Sequence, residues 1–313
     1  KFAVAVNSAT SALHLACLAL GVRPGDEVWT SPITFVASAN CAFYCGGTVD
    51  YIDIDRSTFN MDPNRLEDSL KAAAKKNRLP RVVIPVHLAG LPCAMPEIAA
   101  MCRRFDVRVL QDASHALGAT IGGVPVMADQ FGDISVTSFH PVKMVTTAEG
   151  GAAVTSDRLL AASMERLRSH GITRASEEMQ TPPPGPWHYE QLELGFNYRM
   201  PDLFAALGLS QLQRLEQFVI RRNEVAQMYR ERLFDRRFNM QKSIDGVRSS
   251  HHLVVIAPEK EATNGTQQQN FERLRARGVM TTVHYIPVYR HPFHRQRLIR
   301  QPDCPVAEWY YAR

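Results

Sequence analysis

Hydrophobic and polar positions alternate with two different periods along the first two-thirds of the chain. Short apolar runs between turn residues are typical of buried strands, and longer stretches with apolar residues three or four apart are typical of helices. Strands are predicted at 4–6, 27–30, 49–54, 82–86, 107–111, 134–139 and 152–155, and helices at 9–20, 35–44, 64–76 and 95–105. This order predicts an α/β domain in which helices cover both faces of a central sheet.

The pattern changes in the last third. The segment Thr181-Pro-Pro-Pro-Gly-Pro186 predicts a stiff surface loop, because proline cannot sit inside a helix or a central strand. A long helix is predicted at 202–229, followed by a smaller α+β segment with a strand at 253–257, a helix at 271–277 and a strand at 280–286. We therefore predict a large domain, residues 1–215, and a small C-terminal domain, residues 216–313. The chain begins in a strand and stops without a closing element, so we expect both ends to be truncated.

Composition narrows the class of protein. The chain has 313 residues, of which 45% are hydrophobic and 21% charged, as in ordinary globular proteins. The apolar stretches are too short to cross a bilayer, so no membrane partner is expected. The net charge of +5 is mild and the basic residues are scattered, which argues against nucleic-acid binding. The basic stretch at 290–300 is either solvated surface or a contact for an anionic ligand such as a nucleotide diphosphate.

The six cysteines contain no CxxC pair, which predicts buried free thiols. Free thiols and the absence of a signal peptide favour a cytoplasmic protein. His291 and His294 have HxxH spacing but no further candidate ligands nearby, so no metal site is expected.

Three turns at predicted strand ends carry candidate chemistry. Small residues at 7–12 precede a helix, whose N-terminal amides attract phosphate; an ordinary N-cap by Asn7 or Ser8 explains them equally well. Asp112 follows a buried strand, where it either caps a helix or holds a pyridine nitrogen protonated. Lys143 follows another buried strand, where desolvation frees its amine for imine formation unless the side chain extends to solvent.

The order of these turns favours a cofactor site over its competitors. A phosphate turn, a ring carboxylate and a lysine follow one another within one α/β domain. No GxGxxG follows a strand, and Val124 stands where a P-loop requires lysine after Gly118 and Gly123.

Several motifs resemble those of the DegT/DnrJ/StrS sugar aminotransferases. They lie at 7–15, 34–37, 112–115, 138–143, 150–151 and 195–200, and the resemblance extends over essentially the whole chain. These enzymes have the PLP-dependent transferase fold type I, which is aspartate-aminotransferase-like, with a large mixed-sheet α/β domain and a smaller α+β domain. The motifs at 138–143, 169–174, 187–198 and 283–288 are more narrowly similar to the pseudaminic-acid branch, which makes UDP-4-amino-4,6-dideoxy-N-acetyl-β-L-altrosamine.

The resemblance implies pyridoxal 5'-phosphate (PLP) as cofactor and Lys143 as the catalytic lysine, which binds PLP as an imine and then moves a proton. Asp112 would pair with the pyridine nitrogen, Phe35 would stack on the ring, and His115, where many relatives carry Gln, would lie near the phenolic oxygen. The phosphate would be held by Thr10, Ser11 and Ser138, and by Asn197 of the neighbouring subunit. The expected assembly is therefore a homodimer with a shared active site.

The implied substrates are glutamate, as amino donor, and a UDP-linked 4-keto-6-deoxy-N-acetylhexosamine that is aminated at C4. His188, Tyr189, His284 and Tyr285 are the expected substrate contacts, supported by the basic residues around Arg290. Packing alone is the alternative explanation for the aromatic residues at 187–191. Another nucleotide-linked keto-sugar and a catalytically silent regulatory relative remain as alternative functions, whereas Lys143 argues against a dehydratase with histidine at that position. Met144 and Ala148 stand where Pro and Gly are usual, and they are expected to alter the lysine turn.

Overall fold

The computed structural model describes residues 2–233, 237–259 and 265–313. Its strands are β1 Phe2–Val6, β2 Glu27–Thr30, β3 Thr48–Tyr51, β4 Val82–Ile84, β5 Arg108–Asp112, β6 Thr120–Ile121, β7 Val124–Pro125, β8 Ile134–Ser138, β9 Gly151–Thr155, β10 Ile172–Thr173, β11 Glu190–Gln191, β12 Phe238–Met240, β13 Val247–Arg248 and β14 Ile256–Pro258. Its helices are α1 Ala9–Ala19, α2 Ala37–Tyr44, α3 Pro63–Ala74, α4 Met95–Arg104, α5 Arg158–Arg168, α6 Asp202–Leu212, α7 Leu215–Arg232, α8 Gln267–Ala276, α9 Pro292–Arg295 and α10 Pro305–Tyr311.

The large sheet has seven strands within the described residues, in the order β1-β9-β8-β5-β4-β2-β3. β9 runs antiparallel to both of its neighbours, and the other strands are parallel to one another. The carboxyl ends of β1, β8 and β5 therefore meet at one edge, where open α/β sheets place their ligands. The predicted α/β fold is confirmed, and each strand and helix predicted in the first two-thirds is present within a few residues of its expected bounds.

The hydrophobic core lies on both faces of this sheet. Leu13, Leu15 and Ala16 of α1 are buried against the sheet together with Val136 of β8. Trp29 and Met95 belong to a second buried cluster, which α3 and α4 cover. Helices α3 and α4 begin with proline in their first turn, where its missing N–H costs no hydrogen bond.

Three elements predicted in the last third are wrong in detail. The predicted long helix is two helices, α6 and α7, which are separated at Gln213 and Arg214. The predicted strand at 280–286 is an extended segment without regular secondary structure. Its alternating residues fit a strand, but no strand among the described residues pairs with it, and a strand without a ladder is not stable. The strand expected at 253–257 is displaced to Ile256–Pro258, where it pairs with β12.

Parts of the predicted small domain pack against or pair with the predicted large domain. Val288, Ala307 and Tyr310 are buried in the same cluster as α1 and the sheet. Strand β13 pairs with β6, which follows β5 in the large domain. Helix α8, in contrast, has no buried residue. The boundary at residue 215 stays a prediction.

Helix α6 exposes an unusual amount of apolar surface. Leu203 is 77% exposed and Leu209 is 67% exposed, and Leu207 and Leu212 are exposed as well. A helix with apolar residues on all sides is normally buried. This surface is a candidate interface.

All six cysteines are buried and free, as predicted. No helix in residues 2–233, 237–259 and 265–313 has the length and apolar character needed to span a bilayer.

Candidate active site

The strand ends bring the three candidate turns together. Val6 and Ser138 lie opposite Gly151 from its two sides, so the ends of β1 and β8 are separated by one strand. Asp112 is opposite Val136 in the adjoining pair of strands. The turn at 7–12, the carboxylate and the loop that carries Lys143 therefore share one edge of the sheet.

The turn before α1 is an ordered N-cap. Ser8 is the N-cap residue, and its hydroxyl accepts a hydrogen bond from the amide of Ser11 at 3.1 Å. The Ser11 hydroxyl donates to the side-chain oxygen of Asn7 at 2.6 Å. A Cβ on Gly151 would come within 2.5 Å of the Ala9 nitrogen, so glycine allows the helix to start directly against β9. Thr10 lies half-buried in the first turn, where helix amides attract a phosphate.

The Asp112 carboxylate is buried at the end of β5. One oxygen accepts a hydrogen bond of 2.6 Å from the hydroxyl of Ser38 in α2, and the other accepts one of 3.0 Å from the amide of Ser114. These two donors, one on each oxygen, fix the orientation of the carboxylate. The carboxylate thus meets the requirement for pairing with a protonated ring nitrogen.

Lys143 lies in the loop of residues 139–150, which joins β8 to β9. Burial lowers the pKa of its amine, while the nearby Asp112 charge acts in the opposite direction. A lysine with a lowered pKa is more often neutral and can attack an aldehyde. In the same loop Ala148 has a φ of 66°, a left-handed conformation that glycine adopts more readily than a residue with a Cβ.

His115 lies between these groups and the C-terminal segment. Its Nδ1 accepts a hydrogen bond from the Ala89 amide at 3.3 Å, and its Nε2 is 3.3 Å from the Tyr285 hydroxyl. The ring centroid of His252 is 4.5 Å away. Burial lowers the pKa of His115 well below its usual range, and the charges of Lys143, His252 and His284 lower it further.

Phe35 offers an aromatic face to this site. Its side chain is 58% exposed, and its ring centroid is 6.5 Å from that of Tyr285. Ser138, at the end of β8, is buried, and its hydroxyl is 3.4 Å from the His140 amide. An exposed phenyl ring, a buried carboxylate and a partly buried amine at one edge of the sheet have the character of a site for a planar, charged ring.

The remaining predicted residues lie further out. Asn197 is exposed in a segment that joins the edge of β1, where the Asn7 amide donates to the Tyr198 carbonyl at 2.8 Å. The side chains of His188 and Tyr189 contact Glu190 and Arg174 respectively. His284 is adjacent to Tyr285, and burial together with the Lys143 charge lowers its pKa. The Arg290 guanidinium pairs with the Glu308 carboxylate through Nε and Nη2.

Sequence reasoning missed three residues of the site. Ser38, Ala89 and His252 contact Asp112 or His115 from distant parts of the chain. Ser38 lies four residues after Thr34 on the helix that begins beside Phe35, and its hydroxyl contacts that of Thr34 at 2.8 Å. That spacing was the only sequence signal for Ser38.

The donor set fits PLP. Helix amides and hydroxyls at 8–11 suit a phosphate, Asp112 suits a pyridinium, Phe35 suits a ring face, and the Lys143 amine suits an aldehyde. Each group lies at the same edge of the sheet, and Asp112 and Lys143 act electrostatically on each other.

Comparison with known proteins identifies a family that matches the chain. A model of the DegT/DnrJ/EryC1/StrS aminotransferase family matches residues 1–313. The chain is 37% identical over 302 residues to the UDP-4-amino-4,6-dideoxy-N-acetyl-beta-L-altrosamine transaminase of Campylobacter jejuni serotype O:2, covering 95% of the chain and 75% of that protein. It is 36% identical over 316 residues to the spore coat polysaccharide biosynthesis protein SpsC of Bacillus subtilis, covering 100% of the chain and 79% of that protein.

Solved structures agree with this result. Helicobacter pylori PseC, an aminotransferase involved in the biosynthesis of pseudoaminic acid, matches with a TM-score of 0.88 at 30% identity, over 100% of the chain and 80% of PseC. The PLP form of the sugar aminotransferase Spr1654 from Streptococcus pneumoniae matches with a TM-score of 0.85 at 27% identity, over 99% of the chain and 80% of that protein.

Proposed function

The chain belongs to the DegT/DnrJ/EryC1/StrS aminotransferase family and is a sugar aminotransferase; from this premise we propose its substrate and the roles of its residues. The proposed reaction transfers an amino group from glutamate to C4 of a UDP-linked 4-keto-6-deoxy-N-acetylhexosamine, as in pseudaminic acid biosynthesis. Aminotransferases of this family are PLP-dependent, and we propose that PLP is bound here through Lys143. Because all six thiols are free, we also propose a cytoplasmic enzyme.

One observation carries the proposed site. A hydrogen-bonded carboxylate and a partly buried lysine with a lowered pKa lie at the ends of adjacent parallel strands, next to the N-terminus of α1. A lysine with a perturbed pKa near an acidic group at such an edge is typical of functional sites. A purely structural ion pair would not require the hydrogen bonds from the Ser38 hydroxyl and the Ser114 amide that orient the Asp112 carboxylate.

The residues have distinct tasks in this reaction. PLP, when bound, supplies an aldehyde for the amine and a ring that accepts electrons from the reacting carbon. Asp112 holds a proton on the ring nitrogen, and Ser38 keeps its carboxylate in place. The Lys143 amine, whose pKa is lowered by desolvation, takes a proton from one carbon and returns it to another. Thr10, Ser11 and Ser138 hold the phosphate end, and Phe35 covers one face of the ring.

The lysine assignment is tested by reduction with borohydride followed by peptide mapping. A pyridoxyl group is expected on Lys143, and Lys143→Ala should lose turnover while it still folds and binds PLP non-covalently. Lys75→Ala, at an exposed position after α3, is the matched control and should react like the parent protein. A pyridoxyl group on another lysine contradicts the assignment.

The proposed substrate is supported by the Campylobacter transaminase and by PseC, whose names refer to this pathway. The test compares kcat/KM for the UDP-linked keto-sugar with that for its dTDP-linked counterpart, with glutamate as donor. A strong preference for the UDP sugar is expected. An equal or reversed preference would contradict the proposed substrate, but it would not contradict the assignment of the chain as a sugar aminotransferase.

A further inference from the structure

Both ring nitrogens of His115 are engaged, and one of the partners has a fixed polarity. The Ala89 backbone nitrogen lies 3.3 Å from Nδ1. A backbone amide can only donate a hydrogen bond, so Nδ1 is the acceptor and carries no proton. The second contact, between Nε2 and the Tyr285 hydroxyl at 3.3 Å, can have either direction until the charge of the ring is known.

The Ala89 contact keeps the His115 ring neutral, because an imidazolium carries a proton on both nitrogens and could not accept at Nδ1. Burial is the larger cause of its lowered pKa, and Lys143, His252 and His284 add positive charge nearby. A neutral imidazole has one N–H, and since Nδ1 has none, the proton is on Nε2. His115 therefore donates from Nε2 to the oxygen of Tyr285.

Because His115 donates to the Tyr285 oxygen, the hydroxyl proton of Tyr285 can be donated to another acceptor. Burial and the Asp112 charge raise the pKa of Tyr285, so its hydroxyl keeps its proton. The ring lies beside Phe35, on the side of the site where Asp112 also acts on it. The hydroxyl proton is therefore not used by His115 and is available to a ligand oxygen beside Phe35.

The segment 249–253 holds both Ala89 and His115. The Leu253 amide donates to the Ala89 carbonyl at 3.2 Å, and the Ser250 hydroxyl donates to the His115 carbonyl at 2.9 Å. Gly90 has a φ of 101°, and a Cβ there would come within 2.6 Å of the Ser250 hydroxyl. The donor and the histidine are thus fixed relative to each other by the same few residues.

We propose that His115 is a positioning residue: locked as the Nε2–H tautomer by the Ala89 amide, it turns the hydroxyl proton of Tyr285 toward an oxygen atom of the keto-sugar. The consequence for specificity rests on the proposed function, whereas the tautomer rests on the His115 contacts alone. A site that donates a fixed hydrogen bond to a sugar oxygen discriminates against sugars that lack an acceptor there.

The tautomer is tested by nitrogen NMR of the holoenzyme and of the cofactor-free protein with 15N-labelled histidine. The His115 signals are identified by their loss in His115→Gln. The expected spectrum shows a protonated Nε2 and an unprotonated Nδ1 at neutral pH. A proton on Nδ1, or on both nitrogens, overturns the proposal.

The positioning role is tested by a pair of amide variants. Gln places an amide N–H near the position of Nε2, whereas the shorter Asn reaches only the position of Nδ1. His115→Asn and Tyr285→Phe should each lower kcat/KM for the UDP-linked 4-keto-sugar about tenfold, the effect expected for one hydrogen bond. His115→Gln should restore most of that loss.

The double variant separates a relay from two independent roles. His115→Asn combined with Tyr285→Phe should be no worse than Tyr285→Phe alone, because the two residues act through one hydroxyl. Additive losses overturn the positioning role. If His115→Asn does not fold, His115→Gln is compared with Tyr285→Phe instead. A loss of kcat/KM in His115→Gln as large as that in Tyr285→Phe overturns the positioning role. If the parent enzyme does not aminate the keto-sugar, the proposed substrate fails, and the NMR result still decides the tautomer.

Discussion

At the scale of single residues, Asp112 depends on a partner that is far away in the sequence. The Ser38 hydroxyl lies 2.6 Å from its carboxylate, across a sequence separation of 74 residues. The strand-end position of Asp112 was enough to predict a candidate carboxylate. The orientation of the carboxylate could not be predicted, because hydrogen bonds between distant segments leave no periodic pattern in the sequence.

Substitutions of Asp112 and Ser38 are predicted to slow the reaction to different extents. Asp112→Asn should bind PLP but slow both half-reactions by on the order of a hundredfold, because an amide does not stabilise a protonated ring nitrogen. Ser38→Ala keeps the charge and loses one hydrogen bond, so a loss of about tenfold is expected. Stopped-flow absorbance of each half-reaction measures both. A larger loss for Ser38→Ala than for Asp112→Asn would contradict the assigned roles.

At the scale of elements, the sequence predicted what local pattern determines. Short apolar runs predicted β1 to β5, β8 and β9 because most of their residues are buried in the sheet, although Phe2 and Ala3 of the edge strand β1 are exposed. The segment 280–286 has the same kind of pattern, but a strand needs a neighbour to pair with, and pairing is decided elsewhere in the chain. The break between α6 and α7 has neither glycine nor proline at Gln213 and Arg214, so no breaker residue marks it.

The contact between α1 and β9 makes a prediction at this scale. Gly151→Ala should lower the free energy of unfolding by about 1–3 kcal/mol, because the new Cβ would meet the backbone of Ser8 and Ala9. The shift of the helix N-terminus should also weaken PLP binding. Gly132→Ala is the control, since its Cβ would approach its neighbours only to 3.2 Å. Thermal unfolding and PLP titration measure both effects, and equal results for the two variants would contradict the packing argument.

At the scale of the whole molecule, buried histidines set the response to acid. Burial lowers the pKa of His87, His251 and His294 to about 4 and that of His252 to about 3, and it also lowers the pKa of His115 and His284. In the unfolded chain these rings titrate near a pKa of about 6.5. Between these values the unfolded state binds more protons, so stability rises with pH.

The histidine contribution is therefore present above about pH 6.5 and is lost as the pH falls toward 4. Urea unfolding at pH 7, 6 and 5 should show a falling midpoint. His87→Gln should reduce the pH dependence, whereas His170→Gln, at an exposed position, is the control for the substitution. A midpoint that stays constant from pH 7 to pH 5 would contradict this account.

The exposed leucines of α6 predict the assembly. We propose that a second copy of the chain covers them and that Asn197 of one subunit reaches the phosphate of the other. Leu203→Glu with Leu209→Glu should yield monomers with little activity, because charge at a buried interface is costly. Leu159→Glu is the matched control, since Leu159 on α5 is 80% exposed. Light scattering after gel filtration measures the mass, and a double variant that stays dimeric would contradict this interface.

The loop that carries Lys143 is closed at its base by the sheet. Ser138 and Gly151 are paired across β8 and β9, and the Phe139 amide donates to the Gly150 carbonyl at 2.9 Å. Proteins open in cooperative units, and central strands are among the last to open. The lysine loop is therefore anchored in the large sheet, whereas α8 forms an outer region without a buried residue. A chain cleaved by a protease within that outer region should still carry its cofactor on the fragment that remains folded.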